Sequence, residues 1–245
     1  MRDLIERSLE TALTNCCQIG EVSIRRIGGG GFILSHRDDE GRDGLQCFQN
    51  SEDAAEIARY DEAGKYRPLK TAPNLRRGWR LELVDLKELR RALDHFYPGR
   101  LAVFNAWKEN RLTTTPLRET LTRQSGMYRV AAKISDEQIN DLVGNFCRSN
   151  GGCLRTILWK RDERGAVPST RLPPDKFDAS HDQALWPGST TPATSEHVIP
   201  LLCQEACGLL VAECRKVVKM SNDECRRNDE TQMTKKRVRL AYFVI

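Results

Sequence analysis

The sequence predicts an α+β protein: an N-terminal small antiparallel sheet with helices, followed by a mainly helical region. Three observations predict it. Val22 and Ile24, then Phe32 and Leu34, alternate on either side of the run Gly28 to Gly31, and a period of two marks strands joined by a tight turn. Trp79, Leu81 and Leu83 alternate again. From Arg100 onward the alternation gives way to apolar residues at helical spacing, with helix-start signals in front of them.

Taken in order, Leu4, Ile5, Leu9 and Leu13 lie near helical spacing and predict a first amphipathic helix over 3–16. It ends in Cys16 and Cys17, which point about 100° apart on a helix and so read as structural thiols rather than joint ligands. The strands around Gly28 to Gly31 follow, and Leu45 to Phe48 continues the expected antiparallel meander. The four glycines are not a phosphate loop, because a strand-like Phe-Ile-Leu follows them where such a loop needs a helix N-terminus. Ser51 stands as N-cap to a helix over Glu52 to Tyr60. Residues 64–78 are irregular, and Trp79 to Leu83 is the fourth strand. Asp85 and Glu88 have capping-box spacing ahead of the stripe Leu86, Leu89, Leu93 and Phe96, which stops before Pro98.

Beyond that point Leu101, Phe104 and Trp107 predict one helix. Thr115 and Pro116 open another that ends near Gly126. The clearest start is at Ser135, which forms a capping box with Gln138 and has Ile134 and Ile139 placed as a hydrophobic staple. That helix delivers Cys147 at its end, and Gly151 and Gly152 can turn the chain so that Cys153 faces back. Residues 160–199 read as a long polar loop. Pro200 then opens a helix through about Val218, and 221–245 form a tail. The predicted organisation is an α+β domain over 1–97, a helical domain over 98–220, and the tail.

The composition, 39% apolar and 30% charged, is that of a soluble globular chain. No apolar run reaches the ~20 residues of a membrane span, and no signal peptide opens the chain, so a cytoplasmic location is expected. A net charge of +5 over 245 residues indicates a solvated surface rather than a nucleic-acid footprint.

The chemistry lies in the nine cysteines. Cys147 and Cys153 are separated by five residues, Cys203 and Cys207 by three. On the predicted last helix Cys203 and Cys207 stand at i and i+4, on one face about 6 Å apart. Cys214 falls roughly 10 Å further along and reads as a core thiol. Paired thiols in a chain of this type suit a metal better than a disulfide. Spacing alone leaves three readings open: a 4Fe-4S cluster, a structural zinc, or four unrelated buried cysteines.

The cysteine spacing is similar to that of sulfite and nitrite reductases, where the last cysteine, here Cys207, would bridge to sirohaem, although the rest of the chain does not resemble those enzymes. A longer resemblance covers most of the sequence. The run Thr115-Pro-Leu-Arg-Glu-Thr-Leu-Thr-Arg-Gln-Ser-Gly-Met-Tyr-Arg129, with Phe146-Cys-Arg-Ser-Asn-Gly-Gly-Cys-Leu154 and Leu202-Cys-Gln-Glu-Ala-Cys207, resembles the C-terminal 4Fe-4S domain of bacterial sirohydrochlorin cobaltochelatase-like proteins. The runs Arg59-Tyr-Asp-Glu-Ala-Gly64 and Tyr66-Arg-Pro-Leu-Lys-Thr-Ala-Pro-Asn-Leu-Arg-Arg-Gly-Trp79 resemble the stabilising domain that precedes it. The resemblance implies a 4Fe-4S cofactor ligated by Cys147, Cys153, Cys203 and Cys207, and a link to tetrapyrrole metabolism (sirohydrochlorin, cobalamin or sirohaem).

In that family chelatase domains come first, whereas this chain starts almost at the stabilising domain. His36, His95, His181 and His197 are scattered and read as surface or turn residues, not as a metal-inserting pair. Arg118, Arg123 and Arg129 read either as forks for an anionic tetrapyrrole or acidic partner, or as a solvated helix face paired with Glu119 or Asp136. The expected function is a redox or regulatory cluster module with a chelatase or redox partner protein, no nucleic acid and no membrane. The alternatives are a sirohydrochlorin-handling chelatase or reductase component, and a zinc-stabilised interaction or nucleic-acid-binding protein.

Overall fold

The computed structural model describes residues 4–13, 18–126, 129–148, 152–162 and 198–223. Cys16, Cys17, His181, His197, nearly all of the predicted loop over 160–199 and almost the whole tail lie outside them.

Two compact units are formed, and the chain passes between them more than once. The first takes in the described residues within 1–114, 144–159 and 169–205; the second takes in those within 115–143, 160–168 and 206–245.

The first unit holds the predicted α+β fold. Helix α1 (Leu4–Leu13) precedes β1 (Gln18–Ile19), β2 (Val22–Arg26), β3 (Phe32–His36) and β4 (Gln46–Phe48). Then come α2 (Asp53–Arg59), β5 (Trp79–Leu83), α3 (Leu86–Phe96) and α4 (Arg100–Lys108). After the excursion through the second unit the chain returns with β6 (Thr156–Ile157), β7 (Val198–Ile199) and β8 (Leu202–Cys203).

Six strands form one sheet in the order β4-β5-β3-β2-β1-β7, and β6 pairs with β8 separately. The predicted hairpin is present: β2 and β3 are antiparallel, with Ile24 opposite Leu34, across a tight turn at Gly28–Gly30 in which Gly29 has φ 79°. The register continues to β5, where Leu34 faces Leu81. Ile24, Leu34 and Leu81 thus share one face, and Ser23, Ser35 and Arg80 are in register on the other. The apolar face is buried in one core with Leu9, Ile57, Leu89, Leu93, Phe96, Leu101 and Phe104 from the four helices. A sheet with one covered face and a polar reverse explains the alternation that was legible in the sequence.

Three expectations are corrected. The sheet is mixed rather than purely antiparallel, because β4 runs parallel to β5 at one edge and β1 runs parallel to β7 at the other. Leu45 to Phe48 therefore does not extend the meander beside β3; β5 occupies that position. Ser51 does not cap α2 with its side chain: the N-cap is Glu52, and Asp53 Oδ2 accepts from the amides of Gln49 and Asn50 instead. Half of the box predicted at Asp85 forms. Asp85 Oδ1 accepts from Glu88 N at 2.8 Å, while the Glu88 carboxylate turns to the amide of Ser51.

The second unit is helical among its described residues: α5 (Leu117–Ser125), α6 (Val130–Lys133), α7 (Asp136–Leu142) and α8 (208–223). The N-cap of α5 is Pro116, one residue later than predicted, and has no side-chain acceptor. The free amides of Leu117 and Arg118 donate to the carbonyls of Lys160 and Arg161 at 2.9 and 3.0 Å, which replaces a cap. The predicted capping box on α7 is complete. Ser135 Oγ accepts from Gln138 N and Gln138 Oε1 accepts from Ser135 N. Among the described residues no helix is long and apolar enough to cross a membrane.

Candidate metal centre

The chain continues from α7 into a π-helical turn, Val143–Arg148, in which Cys147 is buried. A π-turn inside a helix is a rare local geometry associated with functional positions. The amide of Cys153 donates to the carbonyl of Cys147 at 3.1 Å, closing the five-residue loop between the two cysteines.

Cys153 is half-buried, and its sulfur meets two polar groups. Thr71 Oγ1 lies 3.0 Å from Cys153 Sγ, and the amide of Arg155 points at the same sulfur from 3.5 Å. Burial pushes the Cys153 thiol up, against the opposing pull of the Thr71 hydrogen bond and the Arg155 charge. Cys203 is near enough to push it further in the same upward direction.

Cys203 is buried on β8, held there by pairing with Ile157 and by Leu158 N donating to its carbonyl at 3.0 Å. Trp159 Nε1 donates to Cys203 Sγ at 3.2 Å, and the thiol donates in turn to the carbonyl of Glu205 at 3.2 Å. Arg100 donates to the carbonyl of Leu202 from α4 at 2.9 Å. Three of the four predicted ligands, Cys147, Cys153 and Cys203, thus belong to the first unit.

Cys207 belongs to the second unit, just ahead of α8, where its carbonyl accepts from Val211 N at 3.1 Å. The expectation that Cys203 and Cys207 share one helical face is therefore corrected: Cys203 is on a strand and α8 begins only at 208. Val198, Ile199, Leu201, Leu202 and Cys203 form a short apolar run, and such a run cannot be told from a helix by periodicity. Pairing decided it, since Val198–Ile199 adds to β1 and Leu202–Cys203 adds to β6. Cys214, on α8, is wholly buried, and burial pushes its thiol up to about 11, as expected of a core thiol. Cys47 is exposed on β4.

All six described cysteines are free thiols. Among the described residues no three His, Cys, Asp or Glu side chains are arranged to hold a metal ion. A cubane takes its thiolates at separate iron atoms rather than around one ion, so convergence is not what it demands. What it uses is buried thiolates with hydrogen-bond donors turned toward sulfur. Cys203 has such a donor in the Trp159 indole and half-buried Cys153 has one in the Arg155 amide, with the Thr71 hydroxyl in contact with the same sulfur, so the donor set fits the cluster.

The arginines are placed as follows. Arg118 donates to the carbonyl of Ala131 at 2.6 Å and to the carboxylate of Asp136, with Asp162 3.9 Å away. Arg123 pairs with Glu119 at 3.7 Å. Arg129 is exposed, on a backbone with φ 45°. Of the reading of His36 as a surface or turn residue, the turn holds, since His36 caps the 3-10 turn Arg37–Asp39, and the surface is corrected. The residue is buried, with Nε2 3.7 Å from Glu21 Oε1, and its Nδ1 accepts from Asp38 N at 3.1 Å. His95 is partly exposed beside Glu52.

With this geometry in place, the comparisons with known families are specific. Residues 7–111 match the DR2241 stabilising domain, and residues 109–216 match the 4Fe-4S iron-sulfur cluster binding domain. The chain thus carries a region like that stabilising domain followed by a region like that cluster-binding domain, and the cofactor of the second is a 4Fe-4S cluster. Among solved structures it is similar to DR2241 from Deinococcus radiodurans, a multi-domain protein with structural similarity to chelatases and two additional novel domains. The similarity has 29% identity and a TM-score of 0.66 over 89% of this chain, and the match spans 42% of the length of DR2241. No curated protein matches the chain.

Proposed function

We propose that the protein is a redox or regulatory module whose 4Fe-4S cluster is ligated by Cys147, Cys153, Cys203 and Cys207, working alongside tetrapyrrole chelation. The carrying observation is that the Arg155 amide and the Trp159 indole N–H point at the sulfurs of half-buried Cys153 and buried Cys203, with the Thr71 hydroxyl in contact with Cys153 Sγ. Cys147 joins them through the closed loop to Cys153. Cys207 completes the set on the resemblance of its run, Leu202-Cys-Gln-Glu-Ala-Cys207. When bound, the cluster supplies one-electron chemistry. The residues of this chain bury the thiolates, orient them and donate hydrogen bonds to them.

The tetrapyrrole half of the reading is supported by the chelatase similarity of DR2241 and by the resemblance of the cysteine runs to cobaltochelatase-like proteins. On this reading the partner is a chelatase or redox protein and any small ligand an anionic tetrapyrrole.

The test is anaerobic purification followed by iron, sulfide and visible-absorbance analysis of single cysteine-to-alanine variants. Each of Cys147→Ala, Cys153→Ala, Cys203→Ala and Cys207→Ala is expected to lose the cluster, and Cys214→Ala to keep it. Equal loss from Cys207→Ala and Cys214→Ala would reject the ligand set. A colourless protein with one zinc would reject the cluster reading altogether.

A further inference from the structure

We propose that Thr71 is a positioning residue for the cluster: its hydroxyl donates a hydrogen bond to Cys153 Sγ when that sulfur ligates iron, and raises the reduction potential. The inference rests on the assignment of Cys153 as a ligand, and its test is separable from the test of that assignment.

The contact is short, 3.0 Å from Thr71 Oγ1 to Cys153 Sγ, and in the free thiol either atom can be the donor. A ligating thiolate has no proton, so in the loaded protein the hydroxyl is the donor. The amide of Arg155 is the other donor to this sulfur, at the longer distance of 3.5 Å. A hydrogen bond to a ligand sulfur offsets negative charge, and the reduced cluster has one more negative charge than the oxidised one. The bond therefore favours reduction.

Thr71 is not free to turn away. It is 1% exposed, and its own carbonyl accepts from the amide of Leu154, the residue after Cys153. Its loop is fixed from behind by Arg67, whose terminal nitrogen donates to the carbonyls of Lys70 and Ala72, both at 3.1 Å. Those two carbonyls bracket Thr71 in the chain. Arg67 Nε donates further to Asn74 Oδ1 at 2.8 Å, and its charge is matched by Glu21 Oε2 at 3.6 Å. Glu21 also accepts from Leu75 N, while its amide donates to Tyr97 Oη. A buried ion pair repays its desolvation only where further hydrogen bonds satisfy both charges, and here those bonds run to the loop itself. The residue that Arg67 brackets is the one in contact with the cysteine.

The experiment is a mediated redox titration of the full chain, purified anaerobically, comparing wild type with Thr71→Val and Thr71→Ser. Thr71→Val is expected to keep its iron and sulfide and to titrate at a more negative potential. The expected change in the reduced-to-oxidised ratio at fixed poise is about threefold to tenfold, about 30 to 60 mV for one electron. Thr71→Ser, which keeps the hydroxyl, recovers most of the shift. A Thr71→Val protein that titrates with the wild type overturns the proposal, as does a Thr71→Ser protein displaced as far as Thr71→Val. If Thr71→Val takes up no iron, Thr71→Ala is read with it. Iron-free valine and alanine variants beside a fully loaded serine variant support the hydroxyl contact, and an iron-free serine variant overturns it. A wild-type chain without iron and sulfide would defeat the ligand assignment instead.

Discussion

Replacing Arg67 with methionine removes the most heavily committed charge of the first unit. The side chains of Arg67 and Glu21 are 1% and 5% exposed, and burial lowers the Arg67 pKa from its ordinary value against the opposing pull of Glu21. The substitution strips a donor from the carbonyls of Lys70 and Ala72 and from Asn74 Oδ1. Each buried acceptor left unsatisfied costs about 1–3 kcal/mol. It also leaves the Glu21 carboxylate with the Leu75 amide and with His36 Nε2 3.7 Å away, but without its guanidinium. Breaking a buried pair on one side costs roughly 3–5 kcal/mol, and because that figure already contains part of the hydrogen-bond loss, about 4 kcal/mol is expected in all. Methionine fills much of the arginine volume, so the cavity contribution is small. At about 2–4 °C per kcal/mol for a chain of this size, the melting temperature falls by roughly 8–16 °C. Urea and thermal unfolding followed by far-UV circular dichroism measure this. Adding Glu21→Gln to Arg67→Met is expected to cost less than the two single changes together. A single Arg67→Met variant within about 1 kcal/mol of wild type would refute the view that this ion pair holds the loop.

Two further outcomes follow from local chemistry. Ser135→Ala removes the Oγ that accepts from Gln138 N at 3.1 Å, and is expected to cost about 1 kcal/mol in urea unfolding, while Ser135→Asp costs much less. Equal losses from both would mean that capping is not what Ser135 contributes. Cys214 tests alkaline behaviour. Its folded pKa is pushed up to about 11 by burial, so the proton is held more tightly in the native state than in the unfolded one. The associated stability is present below the ordinary thiol pKa and is lost as pH rises from about 9 through about 11. Two pH units correspond to roughly 2–3 kcal/mol. Cys214→Ala is expected to flatten that decline when stability is followed against pH, and an unchanged slope would assign it elsewhere.

How much of this was legible in the sequence depends on the range of the force that decides each feature. The hairpin around Gly29 and the box of Ser135 with Gln138 are decided by neighbours, and both formed as read. The sheet's parallel edges were not legible, because β7 finds its partner at Gln18–Ile19 and β4 finds its partner at Trp79–Leu81. No local pattern encodes a parallel pairing across such a separation. The same limit misplaced Cys203 on a helix. The four proposed ligands could be singled out from the sequence because thiol chemistry is written in residue type. Thr71 and Trp159 could not, because their contacts to sulfur arise from tertiary packing across 82 and 44 residues. Thr71 lay in a stretch, 64–78, with no periodicity to single it out.

The boundary between the two domain families and the boundary between the two compact units do not coincide, and the difference bears on what the N-terminal domain does. The family matches meet near residue 110, yet the first unit continues through Gly144–Trp159 and the described residues up to Glu205. Within that unit, segments of the cluster-binding domain are built onto the stabilising domain through their backbone groups, which pair with a strand, a guanidinium and a loop carbonyl. Strand β7 pairs with β1, Arg100 donates to the carbonyl of Leu202, and Leu154 donates to the carbonyl of Thr71. Where such a group is buried, as at Leu202, Thr71 and Ile199, an amide or carbonyl deprived of its partner costs free energy. The segments bearing Cys153 and Cys203 therefore take part of their shape from residues before 110. On this geometry the stabilising domain is the surface against which two of the proposed ligands are set, and its buried ion pair acts on the cluster through one loop and one hydroxyl.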